Sequence, residues 1–137
     1  METIKKLNHI AIVVRDIDAS LPFWENALGI QLDHIEEVPS QQARVAFLPV
    51  GDSEIELVQP TTAESGTASF LEKRGEGLHH LCVEVADIDA MLAQLKTAGI
   101  RLINEEALVL PGRKMAFVHP KAANGVLIEL YELTEPE

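Results

Sequence analysis

The segment His9-Ile10-Ala11-Ile12-Val13-Val14-Arg15-Asp16-Ile17-Asp18-Ala19 is matched, position by position and without a gap, by His80-Leu81-Cys82-Val83-Glu84-Val85-Ala86-Asp87-Ile88-Asp89-Ala90. Three more matches follow in the same order and at nearly the same spacing: Leu28–Leu32 with Ala98–Leu102, Val45–Phe47 with Met115–Phe117, and Ile55–Leu57 with Ile128–Leu130. An ordered internal repeat of this kind predicts two copies of one structural module.

Each copy reads as a strand, a helix and three strands. Leu7–Val14 is rich in β-branched and apolar residues and predicts the first strand. The helix signals, an aspartate cap and a C′ glycine, occur at equivalent places: Asp16 or Asp18 with Gly29, and Asp87 or Asp89 with Gly99. Gly51-Asp52-Ser53 predicts a hairpin turn between Val45–Val50 and Glu54–Val58.

Two βαβββ modules predict an α+β fold, because neither half-sheet can bury its apolar face alone. We expect one domain over residues 1–137. Module one covers about residues 5–60, a linker with a short helix at Thr67–Arg74 covers residues 61–76, and module two covers about residues 77–133.

Composition excludes several partners. The chain has 137 residues and a formal net charge of −11, so it lacks the basic face that nucleic acids and anionic membranes require. No apolar run reaches the roughly 18 residues of a membrane span. Met1–Lys6 lacks a secretory signal, and the single cysteine, Cys82, predicts a small buried hydrophobe. A cytoplasmic protein is expected.

The repeat places like chemical groups at like positions. His9 and His80 are expected at the starts of first strands, and Glu56 and Glu129 lie in last strands. Two imidazoles and two carboxylates suit Co²⁺, Mn²⁺, Ni²⁺, Fe²⁺ or Zn²⁺, and an octahedral ion keeps two positions for a bidentate substrate. Each group also has a structural interpretation: the histidines as ordinary strand residues, and Glu129 as a carboxylate on a solvated face. Glu54 competes with Glu56, which only its alignment with Glu129 selects.

Three segments resemble a known superfamily. His9–Asp16 resembles the first metal-ligand strand of vicinal oxygen chelate enzymes, whose paired modules form a cupped eight-stranded mixed sheet around one metal. Phe70-Leu71-Glu72-Lys73-Arg74-Gly75-Glu76-Gly77-Leu78-His79-His80-Leu81-Cys82-Val83-Glu84-Val85 and His119-Pro120-Lys121-Ala122-Ala123-Asn124-Gly125-Val126-Leu127-Ile128-Glu129-Leu130 are similar to methylmalonyl-CoA epimerases. The resemblance extends from about Leu7 to Tyr131.

The resemblance implies a metal-dependent epimerase that interconverts (2R)- and (2S)-methylmalonyl-CoA by proton transfer through a stabilised enolate. It implies one divalent ion, with Co²⁺ favoured and Mn²⁺, Ni²⁺ or Zn²⁺ possible, on His9, Glu56, His80 and Glu129. The family pattern and the repeat both select His80 over the adjacent His79. Resemblance to glyoxalase I implies Glu56 and Glu129 as the two catalytic bases. The family resemblance also favours a homodimer, as do unpaired strand edges.

The sequence departs from the epimerase pattern at one place. Some epimerases carry glutamine at the position of Glu56 and a separate glutamate on the preceding strand, whereas Ala43–Phe47 contains no carboxylate. Glyoxalase I members carry glutamate there, so a lactoylglutathione lyase is an alternative, against which His119–Leu130 argues. An iron dioxygenase would need two histidines and one glutamate, and Glu56 counts against it. A metal-free, drug-sequestering protein of the same fold would usually lack the complete ligand set.

An acyl-CoA substrate needs cations in a chain this acidic. Lys121, in the epimerase-like segment, is the first candidate, and Arg44, Arg113 and Lys114 are weaker ones; each could also be a solvated surface charge. His119, just before Pro120, is a candidate donor to a substrate oxygen or a cap on a strand end.

Overall fold

The computed structural model describes residues 1–134. Its strands are β1 Ile4–Val13, β2 His34–Val38, β3 Ala43–Val50, β4 Ser53–Pro60, β5 Gly77–Val85, β6 Leu108–Leu110, β7 Arg113–Val118 and β8 Leu127–Leu133. Its α-helices are α1 Ile17–Leu21, which continues as a π-helical turn over Pro22–Ala27, α2 Gly66–Arg74 and α3 Ile88–Thr97. The predicted order of one strand, one helix and three strands therefore occurs twice, with α2 between the copies.

The eight strands form a mixed sheet in the order β2-β3-β4-β1-β5-β8-β7-β6. β1 and β4 are parallel, as are β5 and β8, whereas β3 is antiparallel to β2 and β4, and β7 is antiparallel to β6 and β8. The α+β prediction with an eight-stranded mixed sheet is confirmed. No helix in residues 1–134 is long and apolar enough to cross a membrane.

The chain divides into two compact units, one made of residues 1–8 with the chain from His80 onward, and the other of residues 9–79. In the unit of residues 9–79, the largest core cluster is formed by five buried residues: Val14, Ile17, Ala46, Leu48 and Leu57. In the other unit, seven residues form the core: Val85, Ile88, Met91, Leu92, Ala116, Val118 and Leu130. Each core lies between one helix and one side of three strands, so side chains that alternate to the other side of these strands point away from the core.

The structure selects one aspartate as the cap of each repeated helix. Asp16 Oδ1 accepts the Asp18 N–H at 3.0 Å, and Asp87 Oδ1 accepts the Ala90 N–H at 3.0 Å. A second acceptor comes from the last strand of each module, because Gln59 and Glu132 accept the N–H groups of Ile17 and Ile88, both at 2.8 Å. These contacts satisfy helix N–H groups that have no partner within the helix.

The predicted strand starts were wrong. β1 begins at Ile4 rather than Leu7, so His9 occupies its sixth position, and His80 occupies the fourth position of β5. Ile4 and Lys5 are exposed. The first residues of β1 therefore lack the apolar pattern from which a strand is predicted, although their backbone is extended.

The cap assignment gives a stability prediction. Asp87→Ala should lower the free energy of unfolding by about 1 kcal/mol, because the Ala90 N–H loses its acceptor. Asp89→Ala should cost less than half as much, because Asp89 makes only an exposed 3.5 Å pair with Lys114. Urea denaturation of both variants measures the difference, and equal losses would contradict the assignment of Asp87 as the cap.

Candidate metal centre

His9 and Glu56 meet on one face of the sheet in the unit of residues 9–79. Ala11 pairs with Glu56 across the parallel strands β1 and β4, and alternation along β1 puts His9 on the same face as Ala11. His9 Nδ1 lies 3.4 Å from Glu56 Oε2, and His9 is only 2% exposed. This contact favours Glu56 over its rival Glu54.

His80 and Glu129 form the equivalent pair in the other unit. Cys82 pairs with Glu129 across the parallel strands β5 and β8, and His80 lies two residues before Cys82 on the same face. His80 Nε2 lies 3.0 Å from Glu129 Oε1, and the ring of Phe117 packs edge-on against that of His80. Because Glu129 is 5% exposed, its interpretation as a solvated carboxylate was wrong.

His79 belongs to the opposite face of β5, because adjacent strand residues point to opposite sides. Its ring packs edge-on against Phe70 of α2, with ring centroids 5.1 Å apart. Of the two adjacent histidines, His80 is therefore the one on the face that carries Glu129.

Cys82 is fully buried, as predicted, but it also offers a ligand atom. Cys82 Sγ and a carboxylate oxygen of Glu129 lie within 4.8 Å of each other, and both belong to a group of His, Cys and Glu side chains that could hold a metal ion. The sequence prediction missed Cys82 as a possible ligand. Its position two residues after His80, on the same strand face, was the available signal.

Within each unit, the histidine–glutamate separation suits two ligands of a metal ion. Adjacent ligand atoms that each lie about 2.1 Å from an octahedral ion are about 3 Å apart, close to the 3.0 and 3.4 Å found in the two pairs. Imidazole nitrogen and carboxylate oxygen are ligands for Co²⁺, Mn²⁺, Ni²⁺ and Zn²⁺ alike. The donor chemistry of the predicted residues thus fits a divalent transition-metal ion.

Three of the predicted substrate cations have partners within the protein. Arg44 lies 3.9 Å from carboxylate oxygens of both Asp18 and Glu37. Lys114 Nζ lies 3.5 Å from Asp89 Oδ2, and the Arg113 guanidinium lies over the ring of Tyr131 at 5.5 Å. Carboxylates beside Arg44 and Lys114 reduce the attraction of these two side chains for an anion.

His119 and Lys121 lie at the end of β7. His119 Nδ1 accepts the backbone N–H of Lys121 at 3.0 Å and caps the turn Pro120–Ala122. Desolvation lowers the pKa of His119, and the positive charges of Arg101 and Lys121 lower it further. A neutral imidazole that accepts at Nδ1 carries its proton on Nε2, so His119 can donate one hydrogen bond from Nε2.

Comparison with known proteins identifies the family. Residues 8–117 match the model of the Glyoxalase/Bleomycin resistance protein/Dioxygenase superfamily. The chain belongs to this superfamily. The chain is 38% identical over 127 residues to the human mitochondrial methylmalonyl-CoA epimerase, and the alignment covers 91% of this chain and 72% of the relative.

Solved structures give the same result for this superfamily member. The Mycobacterium tuberculosis methylmalonyl-CoA epimerase matches with a TM-score of 0.85 and 38% identity, over 96% of this chain and 90% of that chain. A variant of the Streptomyces coelicolor methylmalonyl-CoA epimerase, in complex with 2-nitronate-propionyl-CoA, matches with a TM-score of 0.84 and 32% identity. This match covers 98% of this chain and 99% of that chain. The resemblance to methylmalonyl-CoA epimerases that the motifs predict is confirmed.

Proposed function

We propose that the chain is a metal-dependent epimerase that interconverts (2R)- and (2S)-methylmalonyl-CoA. Membership of the superfamily and similarity to methylmalonyl-CoA epimerases over more than nine-tenths of the chain support this activity. The observation that carries the proposal is the repeated pair of a histidine and a glutamate, one in each unit, on equivalent strands and with separations of 3.4 and 3.0 Å.

His9, Glu56, His80 and Glu129 bind one divalent ion in this proposal, with Co²⁺ favoured and Mn²⁺, Ni²⁺ or Zn²⁺ as alternatives. Their nitrogen and oxygen donors match these ions, and His9 and Glu129 are both buried. When bound, the ion supplies positive charge that stabilises the negative charge developing on the thioester oxygen as the substrate loses its C2 proton.

Glu56 and Glu129 perform the proton transfers in this proposal. Epimerisation removes the C2 proton from one side of the substrate and returns a proton to the other side, so it needs two groups on opposite faces of a planar enolate. The repeat supports this assignment, because each unit carries one carboxylate at the equivalent strand position, Glu56 on β4 and Glu129 on β8. Proton transfer by a positioned carboxylate contributes about 10²–10⁴-fold to a rate.

Deuterium exchange tests the proposed reaction. In deuterated water, either methylmalonyl-CoA isomer should acquire deuterium at C2 and yield the other isomer. A parallel incubation with methylglyoxal and glutathione should give no lactoylglutathione. Formation of lactoylglutathione without exchange into methylmalonyl-CoA would contradict the epimerase and favour the lyase.

The quaternary structure and the compartment complete the proposal: a cytoplasmic homodimer. The strand order ends in β2 and β6, and Val109 on β6 is 75% exposed. Strand edges of this kind are commonly covered by a partner. The single cysteine, which is buried, is compatible with a reducing compartment. Light scattering of the purified protein should give twice the mass of 15.0 kDa for one chain.

A further inference from the structure

Three nitrogen-bearing side chains, which we call the basic cluster, come together at the end of β7: Arg101, His119 and Lys121. The backbone N–H of His119 donates to the carbonyl of Arg101 at 3.1 Å, and Leu102 forms a β-bridge with Val118. The segment after α3 is thus attached to the end of β7. This attachment brings Arg101 beside two residues that come much later in the chain.

The turn that carries Lys121 is held by its own backbone. The N–H groups of Ala122 and Gly125 donate to the carbonyls of His119 and Pro120 at 3.0 and 2.8 Å. Asn124 and Gly125 both have left-handed backbone conformations, with φ values of 58° and 86°. Because the turn is fixed by these bonds, its position is already set before any ligand binds.

Within residues 1–134, the two cations of the cluster have no acidic partner. Among residues 1–134, no carboxylate oxygen lies within ion-pair distance of Arg101 or Lys121, in contrast to Arg44 and Lys114. Between the two cations, His119 supplies a neutral Nε2–H donor, since Lys121 N–H occupies Nδ1 and the pKa of His119 is lowered. Two positive charges and a neutral donor have the chemistry that a phosphate group requires.

The first module has no such cluster. Its equivalent segments are joined in the same way, because the Asp33 N–H donates to Phe47 at 2.9 Å as the Ile103 N–H donates to Phe117 at 2.9 Å. In the alignment that matches Phe47 with Phe117, the three positions of the cluster are occupied by Gln31, Pro49 and Gly51. The positive charge is therefore confined to one of two equivalent ends, as expected for a ligand with a single phosphate-bearing arm.

We propose that Arg101, His119 and Lys121 bind phosphate groups of the coenzyme A arm of the substrate. The inference rests on the proposed function, because that function supplies an acyl-CoA ligand. It adds Arg101 to the predicted substrate contacts Lys121 and His119. Both the 3′-phosphate and the diphosphate have the required chemistry, and a comparison of CoA with dephospho-CoA separates them.

Calorimetric titration with CoA tests the cluster without any turnover. Arg101→Ala and Lys121→Ala should each weaken CoA binding by about 10-fold, the loss expected for one charge-assisted hydrogen bond to phosphate. Both side chains are exposed, so neither variant should impair folding. Lys96→Ala is the matched control, because Lys96 is an exposed cation of the same unit and its loss removes the same charge. Arg101→Lys should recover part of the affinity.

Dephospho-CoA identifies the phosphate. If the cluster binds the 3′-phosphate, the Arg101 and Lys121 variants should bind dephospho-CoA as well as the wild type does. If it binds the diphosphate, the losses seen with CoA should persist. CoA affinities in both variants within two-fold of the wild type would overturn the proposal. An equal loss of affinity in Lys96→Ala would also overturn it, because the loss would then reflect only the overall electrostatic field of the protein.

The two proposals fail in different ways. A chain that binds CoA with the expected variant pattern but exchanges no proton of methylmalonyl-CoA would support the cluster and contradict the epimerase. In an active epimerase, the cluster variants should raise KM about 10-fold while kcat stays within two-fold, because a phosphate contact is proposed to be equally strong in the ground state and the transition state. Unchanged KM values in an active enzyme would overturn the cluster alone.

Discussion

Glu56→Gln and Glu129→Gln are each expected to lower the epimerisation of methylmalonyl-CoA at least about 100-fold in both directions. In the proposed two-base mechanism, turnover needs one carboxylate on each face of the enolate, so the loss of either base should stop the complete reaction. Glutamine keeps an oxygen that can bind a metal ion but cannot accept the substrate proton as a carboxylate does. The measurement is the rate of conversion of each pure isomer, with metal content determined for each variant.

Hydrogen exchange in the same variants distinguishes two roles of the glutamates. Each variant should still introduce deuterium into one isomer, and the isomer should be opposite for Glu56→Gln and Glu129→Gln. If the glutamates were only metal ligands, both variants would slow exchange of both isomers about equally, through poorer stabilisation of the enolate. Equal losses at full metal content would rule out the two-base assignment and leave the metal site intact.

His80→Ala is expected to abolish uptake of the divalent ion, whereas His79→Ala should retain it. The reason is geometric: the ring of His80 lies 3.0 Å from Glu129, and that of His79 packs against Phe70 on the other face of β5. Metal content after incubation with Co²⁺, measured by plasma emission spectroscopy, gives the comparison. In the proposed four-ligand site, removal of one ligand should severely weaken binding of the ion.

The paired variants also guard against a folding artefact. Both remove one imidazole from the same strand, so circular dichroism and thermal unfolding should show a loss of similar size in each. His80→Asn provides a second test, because it removes the imidazole while keeping a polar side chain. Equal metal content in the His79 and His80 variants would contradict the choice of His80.

Much of the fold follows from the repeat. The gapless match of His9–Ala19 with His80–Ala90 and the two aspartate–glycine helix signals predict two βαβββ modules. Such patterns can be recognised in the sequence because helices and strands impose a local periodicity and have characteristic end residues. The start of β1 was missed because its first residues are exposed and carry no apolar alternation. Whether Asp87 or Asp89 caps α3 depends on which side chain reaches the Ala90 N–H, and this requires coordinates.

By itself, the sequence determined the two modules, the order of their elements, and the candidacy of His9, His80, Glu56 and Glu129 as ligands, because repeats and alternation are properties of the chain order. Only the tertiary structure decided that the Glu56 carboxylate lies against the His9 ring, that Cys82 offers a ligand atom, and that Arg44 and Lys114 have acidic neighbours. It also brought Arg101 beside His119. These contacts join residues far apart in sequence, and their distances depend on strand register and side-chain packing, which no local pattern encodes.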